Sequence, residues 1–323
     1  MPATLELDIT TDCTKRCKLC PSTTSPRSST LDLGFIERLF ARLQGETRGL
    51  LLSGGEPTLP PTFPEVLRLA RIHGFSEIAI VTNGNLLDEK RVSDALCRYA
   101  SAIRVSIYSW TTQNREEIVS AFQRIKRLRS RIDREGSGAQ IGVSALTSKE
   151  NADAIPAIIR EAASAGAHWI YFHPLCSRWE IGAPERVDQS GVLENIEQYK
   201  RGNFDFPVFT YADRYVERGI SFSSYHAAHF LLVVGADGMN YLGAEVKYHP
   251  QFVVADLNNW DDDFLWRQER LRRIQSVNSG TYSALASRHR GVMYNHVIQN
   301  LIDQDVRSLE KSSGDRYGFP NIL

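Results

Sequence analysis

The sequence predicts an α/β protein built on a parallel sheet, and three observations carry that prediction. Over residues 4–172, short apolar runs alternate with longer amphipathic ones, six strand-like with five helix-like. They come in units of roughly 25 to 30 residues, about what a strand and its crossover helix need. Several helical runs stop at a glycine (Gly45, Gly74, Gly166), the residue that leaves a helix most readily. With right-handed crossovers such a chain either fans out or curls into a barrel, and the spacing alone does not choose.

The elements follow in order. Residues 4–10, Thr-Leu-Glu-Leu-Asp-Ile-Thr, alternate with period two and read as the first strand. Residues 21–30 are rich in Ser, Thr and Pro and read as loop. Leu33, Ile36, Leu39, Phe40 and Leu43 recur at helical spacing within 31–43. The apolar run 49–53 is a buried strand, and 60–72 is a helix ending before Gly74. Strand 77–82 finishes at Asn83-Gly84, helix 88–99 follows, and 103–108 is the fourth strand. A long basic helix, 113–132, precedes strand 140–146. Helix 152–165 stops at Gly166, and strand 169–172 stops at His173-Pro174. A sixth helix, 191–200, closes the unit before Gly202-Asn203. Beyond it the pattern changes: strands at 208–211, 229–235 and 240–246, with a hairpin turn at Ala236-Asp237-Gly238, then helices at 263–274 and 281–309.

The 323 residues suffice for one large α/β domain, or one domain with an appendage. Hydrophobic content of 42% and charged content of 24% are those of an ordinary globular chain. Basic and acidic residues number 38 each, so the net charge is zero and a nucleic-acid partner is disfavoured. Five cysteines, three of them in one loop, argue against a disulfide framework and for a reducing, cytoplasmic setting. The N-terminal residues show no signal peptide. The longest apolar run, near 230–234, falls far short of the roughly 20 residues of a membrane span, so no membrane partner is expected.

The first strand leads directly into Cys13-Thr-Lys-Arg-Cys17-Lys-Leu-Cys20. Three thiols on one loop can close on one metal centre, and thiolates favour zinc and iron–sulfur clusters. A structural zinc normally takes four ligands in two pairs. Here the spacing is three then two, and no fourth ligand follows closely. A four-iron cluster on three cysteines would leave one iron open to a small molecule, which suits a catalyst. One strand–helix unit later, Leu52-Ser53-Gly54-Gly55-Glu56-Pro57 ends the second strand.

The pattern Cys13-x3-Cys17-x2-Cys20 followed by Gly54-Gly55-Glu56-Pro57 resembles the signature of the radical S-adenosylmethionine (SAM) superfamily. The resemblance spans about residues 4–200 and implies a partial (β/α)6 barrel over 1–202, with its cofactors near the strand ends. It implies a 4Fe-4S cluster on Cys13, Cys17 and Cys20, with S-adenosyl-L-methionine chelated to the open iron. Reduction then releases a 5′-deoxyadenosyl radical, while the protein positions it and excludes solvent. An external electron donor such as flavodoxin or ferredoxin is implied as partner.

By the same resemblance, Gly54, Gly55 and Glu56 hold the methionine end of SAM. Leu19 stands near adenine, where the family often has an aromatic residue. Thr82 and Asn83 at the third strand's end, Ser106 in the fourth and Ser144 in the fifth stand where the family binds the SAM carboxylate and ribose. For each serine the alternative is a satisfied, half-buried hydroxyl. Cys176, past the sixth strand, is either a hydrogen-atom donor to a substrate radical or a buried structural thiol. His173 either binds or protonates substrate, or is structural. Cys97, within a helix, reads as core.

Residues 203–323 are expected to form a smaller α+β extension. Leu231-Leu232-Val233-Val234, Asp237-Gly238-Met239-Asn240-Tyr241, Asp256-Leu257-Asn258 and Leu265-Trp266 resemble the SPASM extension of many radical SAM enzymes. That extension normally holds auxiliary clusters, yet no cysteine occurs after Cys176. Net oxidations in the family often use such a cluster as electron acceptor. Its lack favours a redox-neutral lyase or epimerase: epimerisation, decarboxylation or elimination on a small sugar- or nucleoside-type substrate of natural-product (antibiotic) biosynthesis. One rival is modification of a ribosomal peptide, which would usually bring a leader-binding domain before the first strand. Another is a non-catalytic iron–sulfur or zinc protein, against which the intact Gly-Gly-Glu-Pro motif stands.

Overall fold

Strand and helix alternate through the first half of the chain. The computed structural model describes residues 2–17, 20, 28–108, 115–177, 185–201, 205–211, 215, 222–261, 263–282 and 289–302. In order come β1 (Thr4–Thr10), α1 (Leu33–Leu43), β2 (Gly49–Gly54), α2 (Phe63–Ile72), β3 (Glu77–Thr82) and α3 (Lys90–Tyr99). Next are β4 (Ala102–Ile107), α4 (Arg115–Glu135), β5 (Gln140–Thr147), α5 (Ile155–Ser164) and β6 (Trp169–Pro174). A short antiparallel pair, β7 (Cys176–Ser177) and β8 (Glu185–Arg186), precedes α6 (Val192–Lys200) and β9 (Val208–Thr210). The C-terminal part holds β10 (Leu231–Val234), β11 (Met239–Tyr241), β12 (Val253–Asp256), α7 (Gln268–Gln275) and α8 (His289–Ile302).

Local chemistry sets the boundaries. Asp32 caps α1 by accepting from the Phe35 amide at 2.9 Å, so the helix begins two residues later than the apolar pattern suggests. Proline occupies the first turn of α2 and of α5, where its missing N–H costs nothing. Residues 149–154 form a 3₁₀ turn rather than the start of α5.

Among the described residues, ten strands form one sheet in the order β12-β11-β10-β1-β2-β3-β4-β5-β6-β9. Every pair from β10 to β9 is parallel; β11 and β12 add antiparallel at one edge. The sheet stays open, as a partial barrel does. Alternate residues divide its faces. Leu5, Leu7, Ile9, Leu50, Leu52, Ile78, Ile80, Ile103 and Val105 join the helices in one large core. The opposite, inner face carries the small Leu51–Ala79–Ala102 cluster and a run of polar residues.

Three features depart from the sequence expectation. β9 and β10 hydrogen-bond to the barrel strands β6 and β1, so both lie in the main sheet. β12, not expected at all, pairs with β11. Of the helix expected over 281–309, residues 281–282 form a turn instead and residues 289–302 form α8. The boundary expected at residues 202–203 lies outside the described residues. Among the described residues, no helix is long and apolar enough to cross a membrane.

Candidate active site

The cysteine loop leaves β1 where that strand meets β2. The Gly55 amide donates to the Thr10 carbonyl at 2.8 Å, and the Glu56 amide to the Asp12 carbonyl at 2.7 Å. This crossing explains the two glycines. Gly54 has φ +120°, and a Cβ there would lie 2.4 Å from the Thr10 oxygen. A Cβ on Gly55 would lie 2.1 Å from the Asp12 oxygen. The close approach they permit is that of the motif to the root of the loop.

Cys13 and Cys17 are exposed, Cys20 half-buried, and none of them is in a disulfide. Partial loss of solvation at the sulfur, and behind it the charge of Glu56, pushes the Cys13 thiol up, while the Lys15 amide and the Asn83 side chain pull it down. Burial and then the neighbouring Cys20 push Cys17 up. The charge of Cys20 disfavours ionisation of both Cys13 and Cys17, so a cation is what this donor set calls for. No three His, Cys, Asp or Glu side chains among the described residues converge as a single-ion site would need. A cubic cluster does not ask for that, since each thiolate binds a different iron. The donor set fits a 4Fe-4S cluster. Leu19 lies outside the described residues.

Glu56 joins two of the expected site residues, Thr82 and Asn83. It is fully buried. Oε1 accepts from the Thr58 amide at 3.1 Å, the Thr58 hydroxyl at 2.5 Å and the Thr82 hydroxyl at 2.7 Å. Oε2 accepts from the Asn83 amide at 2.8 Å. The Asn83 side chain in turn donates to Cys13 Sγ at 3.5 Å and to Thr14 Oγ1 at 3.0 Å. The ends of β2 and β3 and the cysteine loop are therefore one network.

A second group lies on the inner face of β4, β5 and β6. Ser106 stands opposite Ser144, and Ser144 opposite Tyr171. Ser144 Oγ is 3.0 Å from His173 Nε2, and Ser106 donates to the Tyr108 hydroxyl at 3.0 Å. The His173 ring stacks on Tyr171 at 5.1 Å, with Tyr108 edge-on at 6.1 Å. Tyr211, beyond β9, meets Tyr171 edge-on. Ser106, Ser144 and His173 thus share one wall. Tyr108, Tyr171 and Tyr211 complete it and were not expected; single tyrosines carry no spacing signal. Cys176 is buried, and its thiol donates to the Pro174 carbonyl at 3.9 Å. Cys97 is core, on α3.

The sequence reading also missed a buried ionic cluster on the β1–β2 wall. Lys247 Nζ lies 2.7 Å from Asp8 Oδ1 and 3.2 Å from Glu6 Oε1. Ser53 donates to Asp8 at 2.6 Å, and the Tyr248 hydroxyl donates to Asp8 Oδ2 at 2.8 Å. Burial, and then the Asp8 charge, hold the Tyr248 phenol protonated far above its ordinary range. Tyr248 has φ +67°, a conformation that non-glycine residues take only under tertiary constraint.

Residues 7–134 match the family model described as the radical SAM superfamily. They carry a radical SAM domain. Such domains use a 4Fe-4S cluster and SAM. A GTP 3′,8-cyclase of Chlorobaculum tepidum is 35% identical over 123 residues, 37% of this chain and 36% of that protein. The chain thus spans about a third of that relative's length. The radical SAM fold extends further than the sequence match. SuiB of Streptococcus suis, bound to S-adenosylmethionine, aligns with TM-score 0.65 at 13% identity, covering 85% of this chain and 68% of SuiB. The structure of anSMEcpe with bound AdoMet aligns with TM-score 0.59 at 11% identity, covering 97% of this chain and 96% of that one.

Proposed function

We propose that this protein is a radical SAM enzyme acting on a small polar substrate of sugar or nucleoside type, with a redox-neutral outcome such as epimerisation, decarboxylation or elimination. The observation that carries the reading is the single network of Cys13, Glu56, Thr82 and Asn83, which ties the cysteine loop to the Gly-Gly-Glu turn. When bound, the cluster and SAM supply a 5′-deoxyadenosyl radical that takes one hydrogen atom from the substrate.

The chain's own residues do the rest. Cys13, Cys17 and Cys20 hold the cluster. The backbone carbonyls of the Gly54-Gly55 turn take the SAM amino group, because the Glu56 carboxylate is already engaged by its neighbours. Thr82, Ser106 and Ser144 offer hydroxyls to the carboxylate and ribose, with Leu19 near adenine. The aromatic wall of Tyr108, Tyr171 and His173 suits a polyhydroxylated ring, which stacks on apolar faces and hydrogen-bonds at its rim. The Ser144 contact at Nε2 orients the His173 ring on this wall, where it can bind the substrate. Cys176 is the candidate hydrogen-atom donor of an epimerase. We read residues 203–323 as a SPASM-like extension without clusters. A flavodoxin or ferredoxin is the proposed reductant, and the cytoplasm the proposed setting.

Anaerobic reconstitution followed by SAM and a strong reductant tests this. Four iron and four sulfide per chain, with 5′-deoxyadenosine that disappears in Cys17→Ala, is the expected result. A full iron count with no 5′-deoxyadenosine would sink the catalytic reading.

A further inference from the structure

We propose that the Asn83 side chain is a built-in hydrogen-bond donor to the Cys13 sulfur, and that it raises the reduction potential of the cluster held there. This rests on the reading that Cys13 is a cluster ligand.

The geometry leaves the amide little choice. Its two N–H hydrogens face Cys13 Sγ at 3.5 Å and Thr14 Oγ1 at 3.0 Å. Which end of the amide faces the thiol is decided from the other side. Asn83 Oδ1 accepts from the Asn85 backbone amide at 3.0 Å, so the NH₂ end must point to the loop. The Asn83 backbone is fixed as well, since its amide donates to the buried Glu56 carboxylate at 2.8 Å. With its backbone and its carbonyl oxygen both held, the side chain is a preset donor.

The loop is held to meet it. The Asn85 side chain donates to Thr14 Oγ1 at 3.1 Å, and the Lys15 ammonium pairs with Glu117 of α4. The Lys15 amide donates to Cys13 Sγ at 3.3 Å, so this sulfur receives one backbone and one side-chain donor. An N–H···S bond strengthens as the sulfur gains negative charge, so it favours the reduced cluster over the oxidised one. The potential matters here because the cluster must accept an electron before SAM is cleaved.

The test is a redox titration of the reconstituted protein without SAM, followed by the EPR signal of the reduced cluster. Wild type, Asn83→Ala, Asn83→Ser and Asn85→Ala are compared after iron and sulfide counts. Both Asn83 variants are expected to titrate at a more negative potential than wild type. Asn85→Ala, which loses the side-chain bonds to Thr14 and Arg124 but keeps its backbone amide on Asn83 Oδ1, is expected to titrate with wild type. Unmoved midpoints in the Asn83 variants overturn the proposal. An equal shift in Asn85→Ala also overturns it, since loop position would then be the cause. Should the Asn83 variants fail to load a cluster, pulsed EPR of wild type grown with nitrogen-15 asparagine decides. A coupled asparagine nitrogen supports the bond, and none overturns it. A wild type that holds no four-iron cluster sinks the radical SAM reading itself, a failure distinct from an unmoved midpoint.

Discussion

Glu56 is a buried charge that four donors hold in place. Glu56→Gln keeps its volume and cannot keep its bonds. In one orientation the new NH₂ faces the Asn83 backbone N–H; in the other it faces the Thr58 backbone N–H. Threonine hydroxyls can rotate to accept, but a backbone N–H cannot, so either orientation leaves a buried donor unmatched. A loss of about 1–3 kcal/mol is expected, read as a lower urea midpoint of the cluster-free protein. An unchanged midpoint would contradict this account. The motif was legible as a turn at a strand end. Its partners were not, because they depend on register. Leu52 of β2 lies beside Ile80 of β3, and that pairing brings Thr82 and Asn83 within reach of Glu56. The same limit hid the reason for the glycines, whose close neighbour is the backbone of residues 10–12.

At the scale of elements, β1 was legible as a strand with a period of two, and only half of that pattern was understood. Leu5, Leu7 and Ile9 face the helices as expected. Glu6 and Asp8 alternate with them, which reads as a solvated face, yet both are buried. Their cation, Lys247, is 239 residues from Asp8, so nothing local announces it. Two carboxylates against one ammonium leave this cluster charge-poor in cations. Removing Lys247 would strand both carboxylates in a site that excludes water. Lys247→Met is therefore expected to cost about 3–5 kcal/mol in urea denaturation. Adding Glu6→Gln and Asp8→Asn to it should recover part of the loss, because the uncompensated charges are gone. If Lys247→Met alone moves stability by less than a few tenths of a kcal/mol, the cluster does not hold the C-terminal part to β1.

The whole molecule raises the question of where one cooperative unit ends. The sequence divides at residue 202, and that division stands as a proposal about composition and pattern. Hydrogen bonding runs across it. β10 pairs with β1 over Thr4 to Leu7, and the Phe230 carbonyl accepts from the amides of Ala3 and Thr4. Lys247 and Tyr248 then fasten the same strand from its inner face. Without β10, β1 would present a bare edge, which parallel sheets seldom leave uncovered. The repeating strand–helix units were legible because each is specified by neighbours in sequence. β10 was legible as a strand but its place beside β1 was not, because a parallel pairing between residues 4–7 and 231–234 has no local signature. These contacts predict that β1 and β10 open together. In native-state hydrogen exchange, the amides of Leu5 and Leu7 should share one opening free energy with those of Leu232 and Val234. Lys247→Met should lower both sets equally. If the β10 amides exchange through an opening that leaves β1 protected, the extension is an independent unit resting on the sheet. The ionic cluster would then be a contact between two domains rather than part of one core.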